Sequence, residues 1–291
     1  MRDATTALKE SVGRYGIWSV GLRSEAPDGR GERAETAAEL EQLGFGALWL
    51  GGNSDAGHAA PLIAATSRIV VGTSIQSIWE HEASAAAARF AELEVAHPGR
   101  FLLGLGVSHG PRVRAYGRPY STMVEYLDAL DKAGMPAHGR VLAALGPKML
   151  ELSRDRAAGA IPYLVTPEHT AQARERLGEG PLLAPEFKVV LEADPARARA
   201  TARAYLARYL ELPNYTQNFL RLGFSEEDVT GGGSDRLIDA VFAWGDETTI
   251  RRRVAEFHEA GADHVALQVV EGTDQNALPR EGWRRLASLL G

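Results

Sequence analysis

The side chains best suited to chemistry in this 291-residue chain stand where apolar runs end. Trp18 and Ser19 close one run, Gly51, Gly52 and Asn53 a second, and Ser74, Ile75 and Gln76 a third. Gly106, Val107, Ser108 and His109 follow a fourth, and Ala144, Leu145, Gly146, Pro147 and Lys148 a fifth. No pair of carboxylates stands at these exits, which argues against glycosidase-type acid/base work. His81 and Glu82 are adjacent and so point apart on a regular element, leaving no metal-binding spacing. Neither G-x-S-x-G nor a phosphate-binding P-loop occurs. The absence of cysteine excludes thiolate catalysis, disulfides and iron–sulfur ligation. Glycines, backbone amides, an indole, an amide and an imidazole remain. That set suits a flat, preformed cofactor that brings its own reactivity while the protein supplies orientation and polarity.

Each candidate has a chemical and a structural use. His109 can donate to a substrate or hydrogen-bond nearby backbone. Asn53 can meet the carbonyl edge of a ring, or cap a helix starting near Asp55. Trp18 can wall a substrate pocket or pack in the core, and Trp79 and His81 are placed at the pocket edge. Leu145, Gly146, Pro147 and Lys148 open a helix directly after a strand, a geometry that offers free N–H groups to a phosphate or is an ordinary turn. Arg112, Arg114 and Arg118 can meet an anionic cofactor tail or sit as solvated surface charge.

The elements that must position these residues are legible as alternating periodicities. Strand-length apolar runs occur at Tyr15–Val20, Gly46–Leu50, Ile69–Ile75, Phe101–Val107, Arg140–Ala144, Ala160–Val165, Phe187–Leu191 and Asp263–Val270. Helical spacing separates them at Glu32–Leu43, Ala83–Ala96, Pro167–Leu177 and Asp246–Gly261, with a last helix near Trp283–Leu290. Eight strands alternating with helices predict a (β/α)8 barrel, whose ligand site lies at the carboxyl ends of the strands. The competitor is a doubly wound dinucleotide-binding sheet. Its G-x-G-x-x-G turn is missing after the first strand, and Gly104, Gly106 and Gly110 miss that spacing. Residues 195–245 are too long for one helix and predict two or three, a helical insertion before the last strand, with Gly231–Gly233 as a joint. No linker divides the series, so residues 1–291 read as a single barrel domain.

A hydrophobic share of 45%, a charged share of 24% and a net charge of −6 fit a soluble globular enzyme and argue against a nucleic-acid scaffold. No run reaches the roughly 20 apolar residues of a membrane span. The first residues lack the apolar core of a signal peptide, and a cytoplasmic location is expected.

The pattern RIVVGTSI, a Trp/His region, an Ala-rich helix and PGRFLLGLGVSH resembles the bacterial luciferase-like superfamily, and within it the coenzyme F420-dependent oxidoreductases of actinobacteria. LEQLGFGALWLGG, VLAALGPKML and GDETTIRRRVAEFHEAGADHVALQVV extend the resemblance over nearly the whole chain. It implies a cis peptide at Ser74 and Ile75 behind the deazaflavin ring, the Gly106–His109 turn along the cofactor, and Leu145, Gly146 and Lys148 near its phosphate. The implied activity is hydride transfer between the deazaflavin C5 and a small carbonyl or ene substrate, with His109 as a donor. The alternatives are an FMN-dependent monooxygenase of the luciferase type and a non-catalytic deazaflavin-binding protein. Many relatives carry an acidic residue followed by His after the second strand, where this chain has Gly51–Ser54. A homodimer is expected from the family and from the Ala-rich face of residues 83–96.

Overall fold

A computed structural model describes residues 4–23, 30–110, 113 and 116–291. Among them, eleven strands form one parallel sheet. They are β1 (Tyr15–Ser19), β2 (Ala47–Gly51), β3 (Val70–Ser74), β4 (Gln76–Ser77), β5 (Phe101–Gly106), β6 (Arg140–Leu142), β7 (Gly159–Ala160), β8 (Leu182–Leu183), β9 (Glu186–Val190), β10 (Phe242–Trp244) and β11 (Val265–Val269). β8 and β9 are one run interrupted at Ala184 and Pro185. It pairs with β7 on one edge and with β11 on the other, and β11 pairs back to β1, so the ring closes. The result is a (β/α)8 barrel with a helical insertion before its last strand.

The strands are buried along nearly their whole length because helices cover the outside and side chains fill the inside. Alternation sorts the faces. Ile17, Leu48, Leu103 and Phe187 pack outward against the helices, while Trp18, Trp49 and Leu102 fill the interior. Deep in the barrel, Trp49 Nε1 donates to His264 Nε2 at 3.0 Å, and His264 Nδ1 lies 2.8 Å from the Gly13 carbonyl. Burial holds this imidazole at a pKa of about 4, so it is neutral.

Proline opens the helices Pro147–Arg156, Pro167–Leu177, Pro195–Leu210 and Pro213–Arg221, where its missing N–H would be unpaired anyway. The insertion comprises the last two of these and Asp235–Val241. Its core, built from Tyr205, Leu206, Phe219 and Leu237, closes on Val190 and Phe242.

Two expectations need correction. The run Ala160–Val165 is strand only at its start, because Pro162 has no N–H to give a ladder and Leu164 takes a left-handed φ of 56°. The insertion is not purely helical, since its end supplies β10, whose Phe242–Trp244 pair with Lys188–Val190. No described helix is long and apolar enough to cross a membrane. The Ala-rich helix Ala83–Ala96 turns Ala83, Ala86 and Ala87 into its own chain's core.

Candidate active-site cleft at the strand exits

The carboxyl ends of β1, β2, β3, β5 and β6 border a cleft of about 420 Å3. Its floor is built at the β3 exit. The Ser74–Ile75 peptide is cis; Ile75 N donates to the Gly52 carbonyl and Ser54 N donates to the Ile75 carbonyl, both at 3.1 Å. The Ile75 side chain lies on Gly106, where a Cβ would approach Ile75 Cγ1 to 2.8 Å. Trp18 Nε1 donates to the Ser74 hydroxyl at 3.0 Å, and its ring stands 4.9 Å from that of Tyr163.

Most expected residues meet here. Trp18, Gly52, Asn53, Ser74, Ile75 and Gly106 line the cleft. So do Val107, Ser108, His109, Leu145 and Gly146. Gln76 lies behind the floor, fully buried, with its amide 3.5 Å from the Tyr126 hydroxyl, which burial pushes up to about 12. Trp79 braces the wall from outside: its Nε1 donates to the Val107 carbonyl at 2.6 Å and its ring packs on Tyr116, itself a lining residue. His81 is half-buried and Pro147 and Lys148 are exposed; none of the three is among the lining residues. Arg118 is exposed, and Arg112 and Arg114 lie outside the described residues.

Asn53 is neither a helix cap nor a loose hydrogen-bonding group. Asp55 caps the helix Ala56–Ala64 by accepting from Gly57 N and His58 N. Asn53 Oδ1 instead accepts from Ser77 N at 2.9 Å, and its Nδ2 donates to Glu80 Oε2 at 2.6 Å. Glu80 lines the cleft, so a carboxylate does enter the site. Its sequence position hides this, because it stands six residues beyond Ser74, well past the strand exit.

His109 is held by the insertion. The Asn214 amide meets its Nδ1, with Oδ1 at 3.0 Å and Nδ2 at 2.8 Å, and the Tyr215 ring lies 5.2 Å away. Tyr163, Tyr209, Tyr215 and Gln275 also line the cleft. Beneath them, Lys188 Nζ lies 2.7 Å from Glu186 Oε2 and 3.9 Å above the centre of the Tyr163 ring. Burial raises Glu186 and lowers Lys188, while their mutual attraction opposes both shifts. The sequence signal for this group is the inward parity of Glu186 and Lys188, charged residues in an otherwise apolar strand. No group of three metal-ligating side chains occurs among the described residues.

A family model described as luciferase-like monooxygenase matches residues 17–137 and 134–264. Among solved structures, the coenzyme F420-dependent tetrahydromethanopterin reductase from Methanopyrus kandleri is similar with a TM-score of 0.74 at 16% identity, over 96% of this chain and 98% of that one. An F420-dependent secondary alcohol dehydrogenase in complex with an F420–acetone adduct gives 0.71 at 13% identity, over 96% and 99%. The oxygenating constituent of 3,6-diketocamphane monooxygenase from the CAM plasmid of Pseudomonas putida, in complex with FMN, gives 0.71 at 13% identity, over 96% and 97%. Likeness at these identities is likeness of fold. No protein with a curated description matches the sequence.

Proposed function

Because the chain belongs to the luciferase-like monooxygenase family, we propose that it is an oxidoreductase using the deazaflavin coenzyme F420 to reduce, or by reversal oxidise, a small carbonyl or ene substrate. The observation that carries this reading is the cleft floor, where Ile75 lies against a residue with no Cβ. It offers a flat ring an apolar support without a side chain rising from Gly106. The cleft's polar groups are hydroxyls, amides, an indole, an imidazole and one carboxylate, a set that suits orienting a cofactor that brings its own redox chemistry.

When bound, the reduced deazaflavin supplies a hydride. The chain's own residues do the rest. Ile75 and Gly106 support the ring, and Trp18, anchored on Ser74, fixes one wall. Ser108, His109, Leu145 and Gly146 give polar edge and backbone contacts, with Gly146 at the start of the helix Pro147–Arg156 suited to a phosphate. His109, oriented by Asn214, lines the cleft and offers a hydrogen bond to a bound ligand. The insertion contributes Tyr209, Asn214 and Tyr215 to the cleft wall.

Absorbance and fluorescence titration of the purified protein with coenzyme F420 and with FMN tests the reading. Micromolar binding of the deazaflavin and none of FMN is expected. FMN binding without the deazaflavin overturns it in favour of a flavin monooxygenase. Deazaflavin binding with no turnover on a ketone and enone panel indicates a binding protein instead. A homodimer belongs to the same proposal and is read by light scattering of the full chain.

A further inference from the structure

Behind the cleft lies a second cavity of about 360 Å3, lined by Ser19, Gln268, Glu271, Asp274 and Trp283 and reaching the surface beside the exposed Glu271 and Asp274. Trp18, Val20 and Gln275 border both, and a cluster of tyrosine hydroxyls runs from one to the other. Tyr163 and Tyr209 line the cleft, Tyr205 lines the second cavity, and Gln275 lines both.

The hydrogen bonds of this cluster single out one proton. Tyr205 Oη accepts from Gln268 Nε2 and from Gln275 Nε2, each at 2.7 Å, which fills both of its lone pairs. Tyr205 therefore acts only as a donor toward Tyr163, 3.1 Å away, or Tyr209, 3.2 Å away. Tyr163 donates to Tyr209 at 2.9 Å or to Gln268 Oε1 at 3.2 Å. Where Tyr209 receives from a tyrosine, from Tyr163 at 2.9 Å or from Tyr205 at 3.2 Å, the Gln275 Nε2 donor at 3.0 Å fills its second lone pair, and its own proton is turned out of the cluster. The direction left to that proton is the cleft. Burial holds the hydroxyls of Tyr163 and Tyr205 well above the usual phenol range, so both stay protonated at neutral pH.

We propose that Tyr209 is the proton donor to an oxygen-bearing substrate in the cleft, and that Tyr205 passes it a replacement proton from the second cavity. The step rests on the hydride-transfer reading. Reduction of a carbonyl forms a C–H bond with the hydride and an O–H bond with the Tyr209 proton, while the carbonyl π bond breaks. The electron pair of the broken Tyr209 O–H bond stays on Tyr209, which takes the Tyr205 proton. Tyr205 regains one from water in the second cavity, which takes the place of one of the glutamine amide donors on its oxygen. The favoured substrate class is a small ketone or enone that leaves an oxyanion to be protonated, not a substrate attacked by oxygen.

The test uses the cofactor-free protein and 4-nitrophenolate, a visible probe of hydrogen-bond donors to an oxyanion. Tyr209→Phe is expected to weaken its binding by roughly tenfold or more, the usual effect of losing a hydrogen bond to a charged group. Gln275→Ala, a change in a half-exposed loop, frees a lone pair on Tyr205, recaptures the Tyr209 proton and weakens binding several-fold; it stands in if Tyr209→Phe does not fold. Tyr205→Phe is expected to retain the phenolate but to slow turnover of a ketone and alter its solvent deuterium isotope effect. Wild-type affinity for 4-nitrophenolate in both Tyr209→Phe and Gln275→Ala overturns the donor assignment, and wild-type turnover with an unchanged isotope effect in Tyr205→Phe overturns the relay. Failure of the wild type to bind the deazaflavin is read separately and overturns the cofactor reading, because the phenolate measurement needs no cofactor.

Discussion

Trp18 Nε1 donates to the Ser74 hydroxyl across 3.0 Å, joining the exit of the first barrel strand to that of the third. The bond fixes the indole as a wall of the cleft while its ring packs on Tyr163. Trp18→Phe keeps most of the buried ring and loses the donor. A neutral hydrogen bond contributes about 1 kcal/mol, so deazaflavin affinity should fall roughly fivefold. Fluorescence titration reads this, with circular dichroism expected to be unchanged; unaltered affinity would remove Trp18 from the cofactor wall.

The two glycines of β5 should respond differently to a methyl group. A Cβ on Gly106 meets the movable Ile75 side chain at 2.8 Å, whereas a Cβ on Gly104 meets the backbone carbonyl of Thr73 at 1.9 Å. Gly106→Ala should therefore fold with a loss of about 1–3 kcal/mol, typical of overpacking, and lose cofactor binding by tenfold or more. Gly104→Ala should fail to fold, since Thr73 and Gly104 hold each other by two hydrogen bonds of 2.8 Å. Thermal melts with parallel titrations distinguish the two.

Asn53 and Glu80 offer a charge test. Replacing the Asn53 amide with a carboxylate puts two anions at the present 2.6 Å contact, where like charges keep one group protonated. Asn53→Asp should be less stable than the wild type by about 1–3 kcal/mol at pH 8 and recover much of that by pH 5. Denaturant melts at both pH values check the sign; equal losses would mean the contact is absent in solution.

His264 sets a pH dependence of stability. Its folded pKa of about 4 lies below the unfolded 6.5 because burial disfavours the imidazolium. Between these values the unfolded chain binds the extra proton, so stability is complete above pH 6.5 and falls as the pH drops toward 4. The loss is about 3 kcal/mol from this residue. His264→Asn should flatten the pH 6.5 to 4 segment of the stability profile; an unchanged slope would assign it to other groups.

The sequence by itself determined the barrel, because local signals decide it. Apolar β-branched runs such as Ile69–Ile75 have no solvated face, and prolines at 147, 167 and 195 mark where helices start. The floor was legible too, since Ser74, Ile75 and Gly106 stand at strand exits that a parallel ring must bring together. Tertiary structure alone decided the partners. The Asn53–Glu80 bridge, the grip of Asn214 on His109, and the meeting of Tyr163, Tyr205, Tyr209, Gln268 and Gln275 join segments as much as 112 residues apart. Periodicity reports which face of an element is buried, and not which remote side chain it meets there. A tyrosine in the insertion reads as core packing until the ring closes and aligns its hydroxyl with others; only then does the direction of one proton follow from counting lone pairs.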